Sequence, residues 1–351
     1  MKTNRIAAFD ILKGIAIFLV VMGHVFSLCI GDCDENMTFR VIGAIHMPVF
    51  FFISGYFTYK LTEQGDFSTP NLKKRFYQLI VPFLVVSAIW SVYAPHCKLV
   101  GTHASSWPML MTFYFKDGYW FTLALFEIIL VYAIIGRLLA AVKNIWAQIA
   151  ILTAVYTVMV IAVPAISDEK AGYDPTGIGL LAQFFPVFMM GVFARKYIDG
   201  FKRLTRSYAV LLILVLAGIG KLLAKRYEAE MPWLFFIAQP LFHALIILVA
   251  FCLVYRSDTE RFATTRIGRW FTLLGNESLG IYLLHYFFLF PLTPLQEPMR
   301  ALGLTFLPSA VVAAFFAFFI VLAALGANWA ISKNKILAFL LIGKTIKEKQ
   351  I

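Results

Sequence analysis

Residues Phe9 to Ile30 read FDILKGIAIFLVVMGHVFSLCI, and from Ile11 onward the stretch holds one lysine and no carboxylate. At ~1.5 Å per residue, those twenty residues make a helix of roughly 30 Å, the thickness of a bilayer's hydrocarbon core. Lys2 and Arg5 ahead of it look like the start of a secretory signal. Asp10 and Lys13 interrupt the apolar run, however, and the residues after Ile30 offer no small-residue cleavage site. The expectation is an uncleaved first transmembrane helix.

The same pattern recurs outward from this stretch. Further apolar runs lie at Val41 to Tyr59, Phe76 to Ala94, Tyr119 to Ala141, Trp146 to Ile166, Ile178 to Phe193, Ala209 to Leu223, Trp233 to Tyr255, Glu277 to Leu292 and Leu304 to Ile331. With Ile11 to Ile30 they predict an all-α, polytopic membrane bundle of about ten spans. Composition agrees: a 351-residue chain that is 61% hydrophobic and 14% charged has too little polar surface to coat a soluble globule.

The net charge of +12 raises the question of nucleic acid, and its distribution answers it. Across ten alternating spans, 23 of the 31 Lys and Arg fall on the side of the N-terminus and 8 on the other. That asymmetry follows the positive-inside rule for an even number of spans with both termini in the cytoplasm. The partner implied is a lipid bilayer.

Connections between runs are short, with no linker, repeat or appended soluble domain, so residues 1–351 read as a single membrane domain. Any chemistry must then sit within the bundle or at its rims. Pro48, Pro82, Pro186, Pro240 and Pro291 to Pro298 mark breaks of the kind that can border cavities. Arg256 to Leu274 is basic and amphipathic and is expected along the inner surface, ahead of a ninth helix entering at Asn276 and Glu277. Of the four cysteines, Cys29, Cys33 and Cys97 fall on the outer side. A Cys33 to Cys97 disulfide and free thiols in apolar packing both fit. No zinc spacing appears.

Polar side chains inside hydrocarbon are costly enough to be functional candidates. His24 lies thirteen residues past Ile11, roughly 20 Å from the inner edge, and His46 lies five residues past Val41, roughly 8 Å below the outer edge. The two depths nearly coincide, so neighbouring first and second helices would bring both imidazoles to one cavity. His285 falls near mid-membrane, or further out if its helix begins at Phe271, and His243 and Glu127 also fall near mid-membrane. For His243 and Glu127 a packed, hydrogen-bonded role is the favoured reading. Asp10, Lys13, Lys73, Lys74 and Arg75 stand at the inner rim, where cations either snorkel and set topology or bind phosphate.

These residues also form a pattern. FDILKGIAIFLVVMGH places Asp10, Lys13 and His24 at the spacing of the opening signature of the type-three integral-membrane acyltransferase family, which this chain resembles. HMPVFFFISGYF from His46, KKRFYQLIVPF from Lys73, YWFTLALF from Tyr119 and LLGNESLGIYLLHYF from Leu273 are similar to its later segments, in the expected order. Their details lean toward the fucose 4-O-acetylase-like branch. At the third-helix entry the family commonly has Arg-x-x-Arg, whereas Arg75 is followed at that spacing by Gln78. The Glu often found five residues after the Trp is Leu125 here, with Glu127 two positions later.

The resemblance implies transfer of an acyl group, usually acetyl, from cytoplasmic acyl-coenzyme A to a hydroxyl of a sugar, glycolipid or cell-surface glycan. It also implies a multi-pass protein of the bacterial cytoplasmic membrane with no resident metal or permanently bound cofactor. It points to Asp10, His24 and His46 as catalytic, to Lys13, Lys74, Arg75 and Trp120 as donor contacts, and to Ser54, Glu127, Tyr282 and His285 as acceptor-binding or supporting. The depth map suits that chemistry: phosphates held at the inner rim, a thioester on a long arm reaching the histidines. A neutral imidazole is suited to take a proton from a sugar hydroxyl, which makes His24 the expected base. His46 would orient the acceptor, stabilise the oxyanion or pass the proton on, and an acyl-imidazole on His24 is the covalent alternative. A proton-coupled transporter or flippase is the rival reading, but it usually brings paired broken-helix repeats, and none is visible.

Overall fold

The computed structural model describes residues 6–31, 36–63, 67–99, 117–166, 178–206, 212, 215–216, 218–220, 233–256, 259–302 and 306–344. The described chain is all-helical apart from an isolated bridge between Leu61 and Phe67. Its long helices are α1 (Ala7–His24), α2 (Met37–Thr58), α3 (Leu72–Tyr93), α4 (Trp120–Ala141), α5 (Ile145–Ile166), α6 (Ile178–Lys196), α8 (Trp233–Arg256) and α13 (Phe306–Ile331). Shorter helices are α7 (Ile198–Arg206), α9 (Thr259–Thr264), α10 (Arg266–Asn276), α11 (Ser278–Leu284), α12 (Gln296–Leu302) and α14 (Lys335–Ile342).

Among the described residues, seven helices are long and apolar enough to cross a bilayer: Ala7–Ile30, Met37–Thr58, Leu72–His96, Trp120–Ala141, Ile145–Val163, Ile178–Lys196 and Leu307–Ile331. Many of their large apolar side chains point outward, among them Val92, Ile134, Trp146, Ile161 and Leu307. A helix that is apolar all round and still exposed needs lipid as its solvent. The chain is a multi-pass membrane protein. The expected ninth span is not a straight helix: Ser278–Phe288 and Thr293–Leu302 meet at 94°, and they make an eighth crossing if the pair is one span. Of the remaining expected runs, Trp233 to Tyr255 lies within the unbroken helix α8, and Ala209 to Leu223 lies mostly outside the described residues.

Contacts divide the chain into two compact units: Met1–Met47 with Lys73–Leu123 and Glu260–Ile351, and Pro48–Leu72 with Ala124–Thr259. In the first, α1 packs along α10 with two glycines at the contact. A Cβ on Gly14 would overlap the Phe271 carbonyl, and one on Gly275 would overlap the Asp10 carbonyl. In an α-helix the carbonyl of residue i bonds the N–H of i+4, so Phe271's carbonyl adjoins Gly275 and Asp10's adjoins Gly14. The two backbones touch there with no side chain between them, which only glycine permits.

Three further links complete this unit. Asn36 caps α2 through the N–H groups of Thr38 and Phe39 and donates to Ser309 Oγ at 3.1 Å. Glu277 accepts from Asn328 Nδ2 at 2.7 Å and from Lys344 Nζ at 3.1 Å, tying α13 and the end of α14 to the start of α11. Gly343 then ends α14 in the left-handed region, φ 66°, against the carbonyl of Gln78.

The second unit is an aromatic packing core. Gly55 abuts the Phe188 backbone and Gly191 the Phe52 backbone, so the later half of α2 lies close on α6. Phe51 stacks on Phe184 with centroids 4.5 Å apart, and Phe52 meets Phe251 at 4.7 Å. His243 stacks on Phe184, 5.6 Å away and nearly coplanar, in keeping with its expected packing role. Cys29 is buried and Cys97 half-buried; Cys33, the other half of the disulfide reading, lies outside the described residues.

Candidate active site

His24 is the last residue of α1, where the helix widens into a π-helical turn over Val25–Ile30 that Gly31 closes at φ 77°. Such turns are rare and often mark functional positions, because the wider coil re-aims side chains and frees backbone groups. Here the carbonyl of Cys29 accepts from Leu292 N–H at 2.7 Å. That bond ties the end of α1 to the bent segment carrying His285.

His285 opens a 3-10 turn, His285–Phe288, directly after α11. The two histidines meet because each lies ten residues beyond a glycine of the α1–α10 contact: Gly14 to His24 on one strand, Gly275 to His285 on the other. His285 Nε2 is 3.5 Å from His24 Nδ1, with the rings edge to face at 5.0 Å. On the far side of the same imidazole, the Tyr286 hydroxyl is 3.3 Å from His24 Nε2. His285 Nδ1 lies 2.7 Å from the carbonyl of Tyr282 and 3.1 Å from that of Ile281. His285 is fully buried and His24 only half-buried, so His24 is the ring a substrate can meet.

An aromatic wall supports this pair. Tyr286 contacts Trp90 at 5.2 Å and Tyr119 at 5.0 Å, and Trp90 also meets Phe287 at 5.5 Å. Tyr282 accepts the Phe121 N–H at 3.3 Å, which seats the start of α4 beside the wall. The hydroxyl of Tyr119 is buried and has no hydrogen-bond partner among the described residues.

His46 is half-buried, its Nδ1 at the carbonyl of Ile42 one turn earlier. The depth count pairs His24 with His46, whereas the ring that touches His24 belongs to His285. Asp10 and Lys13 form an ion pair of 2.8 Å at the start of α1. Asp10 is fourteen residues from His24 on one helix, a rise of roughly 21 Å, so any role it has is exercised at the other end of that helix. Lys74 and Arg75 occupy the first turn of α3, Lys74 exposed and Arg75 half-buried, and Trp120 opens α4 half-buried. Ser54 and Glu127 belong to the second unit, where Ser54's carbonyl accepts from Thr58 Oγ1.

Trp90, Tyr119 and Tyr286 are the residues a sequence reading passes over. Tyr119 and Tyr286 each stand next to a singled-out residue, Trp120 and His285, in the segments YWFTLALF and LLGNESLGIYLLHYF. Trp90 carries no such signal.

Comparison with known proteins supplies the family. A model described as an acyltransferase domain matches residues 6–333. Two curated relatives, both called nodulation protein NolL, match shorter segments. The one from Sinorhizobium fredii (strain NBRC 101917 / NGR234) is 37% identical over 90 residues, 24% of either chain. The one from Mesorhizobium japonicum (strain LMG 29417 / CECT 9101 / MAFF 303099) is 34% identical over 94 residues, 25% of either chain. The match thus spans about a quarter of the length of these relatives, and no solved structure matches. With its family match running from the foot of α1 to the end of α13 and taking in His24, His46 and His285, the chain belongs to the acyltransferase family.

Proposed function

We propose that this protein transfers an acyl group, acetyl in the first instance, from cytoplasmic acyl-coenzyme A to a hydroxyl of a sugar or sugar-containing surface molecule. The observation that carries the reading is the half-buried His24 imidazole, held at one nitrogen by His285 and at the other by the Tyr286 hydroxyl. His24 is the general base. Its Nε2 takes the proton of the acceptor hydroxyl as that oxygen bonds to the thioester carbonyl carbon. Collapse of the tetrahedral intermediate breaks the carbon–sulfur bond, and the departing thiolate takes the proton back. Lys74 and Arg75 at the foot of α3, with Lys13 at the foot of α1, form the phosphate-binding rim, and Trp120 lies along the donor's path. The excess of Lys and Arg on the side of the N-terminus supports a topology in which that rim faces the cytoplasm, where coenzyme A is found, in a bacterial inner membrane.

The test is purified protein with radiolabelled acetyl-coenzyme A and a panel of free sugars, glycolipids and glycan fragments. Label transferred to a hydroxyl, and absent from a His24→Gln control, is the expected result. Coenzyme A-independent uptake of a sugar or proton into vesicles, without label transfer, would replace the enzyme with a carrier.

A further inference from the structure

The two neighbours of His24 determine where its protons sit, and the assignment starts at the buried end. His285 Nδ1 faces two backbone carbonyls, those of Tyr282 and Ile281. Carbonyls only accept, so this nitrogen carries a hydrogen. A neutral imidazole has one N–H, so His285 Nε2 then presents a lone pair toward His24. The nitrogen it faces, His24 Nδ1, must donate, which leaves His24 Nε2 bare and able to accept from the Tyr286 hydroxyl. One continuous chain results: Tyr286 O–H to His24 Nε2, His24 Nδ1–H to His285 Nε2, His285 Nδ1–H to the Tyr282 carbonyl. With His285 charged instead, its Nε2 would donate, and the bare nitrogen of His24 would face inward where no acceptor hydroxyl can reach it.

We propose that His285 is a positioning residue that, by accepting the Nδ1 proton of His24, holds the Nε2 lone pair of His24 toward the acceptor hydroxyl. The Tyr286 hydroxyl bonds that single lone pair here, so the acceptor hydroxyl must displace it in order to be deprotonated. When His24 has taken the acceptor's proton and become imidazolium, its Nδ1–H remains on the His285 lone pair, and when the thiolate removes the Nε2 proton the starting tautomer is restored. The groups around the pair include no described carboxylate in contact with His24. A neutral imidazole braced on the backbone does here what a buried carboxylate does in a serine-protease triad, namely fix the base's tautomer and orientation. The 3.5 Å between His285 Nε2 and His24 Nδ1 is a long hydrogen bond, of the kind that catalytic groups often show before substrate binds. The Leu292 N–H to Cys29 carbonyl bond keeps the two strands at that spacing, and full burial keeps water from competing for His285.

The inference rests on the acyl-transfer reading above, and its test separates the two. The amide of His285→Gln reaches the place of Nε2, so its oxygen can accept from His24 Nδ1–H. The amide of His285→Asn reaches only the place of Nδ1, where it satisfies the Tyr282 carbonyl and leaves His24 without an orienting partner. The assay is free-thiol release and label transfer from acetyl-coenzyme A. The Gln variant should keep turnover within about tenfold of the parent, while the Asn variant should lose on the order of 10² to 10³ with KM for the donor unchanged. Equal losses in both variants, parental turnover in both, or a raised KM in place of lowered turnover would each overturn the positioning role. Nitrogen-15 spectra of the histidine-labelled parent provide a readout that needs neither substrate nor a variant. Both His24 and His285 should carry their proton on Nδ1, and a proton on Nε2 of either ring overturns the assignment. An absence of acyl transfer in the parent with these tautomers intact would sink the acyl-transfer reading alone.

Discussion

Replacing His24 by Gln separates a packing histidine from a catalytic one, because the two roles differ in what they cost and where. In the structure His24 makes two side-chain hydrogen bonds, 3.5 Å to His285 and 3.3 Å to Tyr286. If these only hold the fold, a Gln that keeps one and loses the other costs about 0.5–1.5 kcal/mol of stability, and turnover per folded molecule stays near parental. If His24 is the base, an amide cannot accept the proton, and turnover falls on the order of 10² to 10⁴. At ~1.4 kcal/mol per tenfold, that is about 3–5.5 kcal/mol of barrier. The measurement is initial rate at saturating acetyl-coenzyme A in nanodiscs, beside a thermal melt and donor-binding calorimetry on the same preparation. Donor affinity should be unchanged, since the proposed phosphate rim lies at the other end of α1. The parent's rate should rise with pH through one deprotonation that is missing from the variant's residual rate. A well-folded His24→Gln protein within a few-fold of parental turnover would remove His24 from the chemistry.

At the rim, Arg75→Ala should weaken donor binding more than acceptor binding. Lys13→Ala is the less clean probe, because it also strands the Asp10 carboxylate and should lower the melting temperature as well; unchanged donor affinity in both would leave snorkelling as the explanation of these cations. Gly275→Ala should destabilise by about 1–3 kcal/mol, since the new Cβ would overlap the Asp10 carbonyl and α1 would have to move off α10. Gly43→Ala in α2, whose Cβ would meet nothing within 4 Å, should instead gain about 0.5–1 kcal/mol from helix propensity, and a melt of the two side by side checks the contrast. Tyr119→Phe removes a buried hydroxyl with no described partner, so its melting temperature should hold or rise; a fall would show that the hydroxyl has a partner after all. Reporter fusions should place the Lys60 to Lys74 loop and the C-terminus inside, and a C-terminal reporter active only in the periplasm would reverse the topology.

Depth is a property a chain carries locally, because each residue of a helix adds the same rise whatever surrounds it. The apolar runs therefore announce the membrane helices, and counting from Ile11 and Val41 places His24 and His46 at a common level before any packing is known. The Asp10–Lys13 pair is legible for the same reason, three residues apart on one face. Azimuth and neighbour identity are not local. Counting from Glu277 puts His285 at mid-membrane and counting from Phe271 puts it further out, but neither count says that it touches His24. The contact depends on two glycines 261 residues apart in sequence letting α1 and α10 touch, and on the chain bending just past His285. Trp90, Tyr119 and Tyr286 converge on the same place from three separate segments, and nothing in any one segment's periodicity encodes the others' arrival. Glu277, read as a helix start, becomes the acceptor for Asn328 and Lys344 once α13 and α14 fold back over it. The sequence by itself determined the membrane class, the spans that are visible and the level of His24. Which side chains touch that histidine was decided by tertiary packing, because rise along a helix is additive in sequence while contact between helices depends on both partners at once.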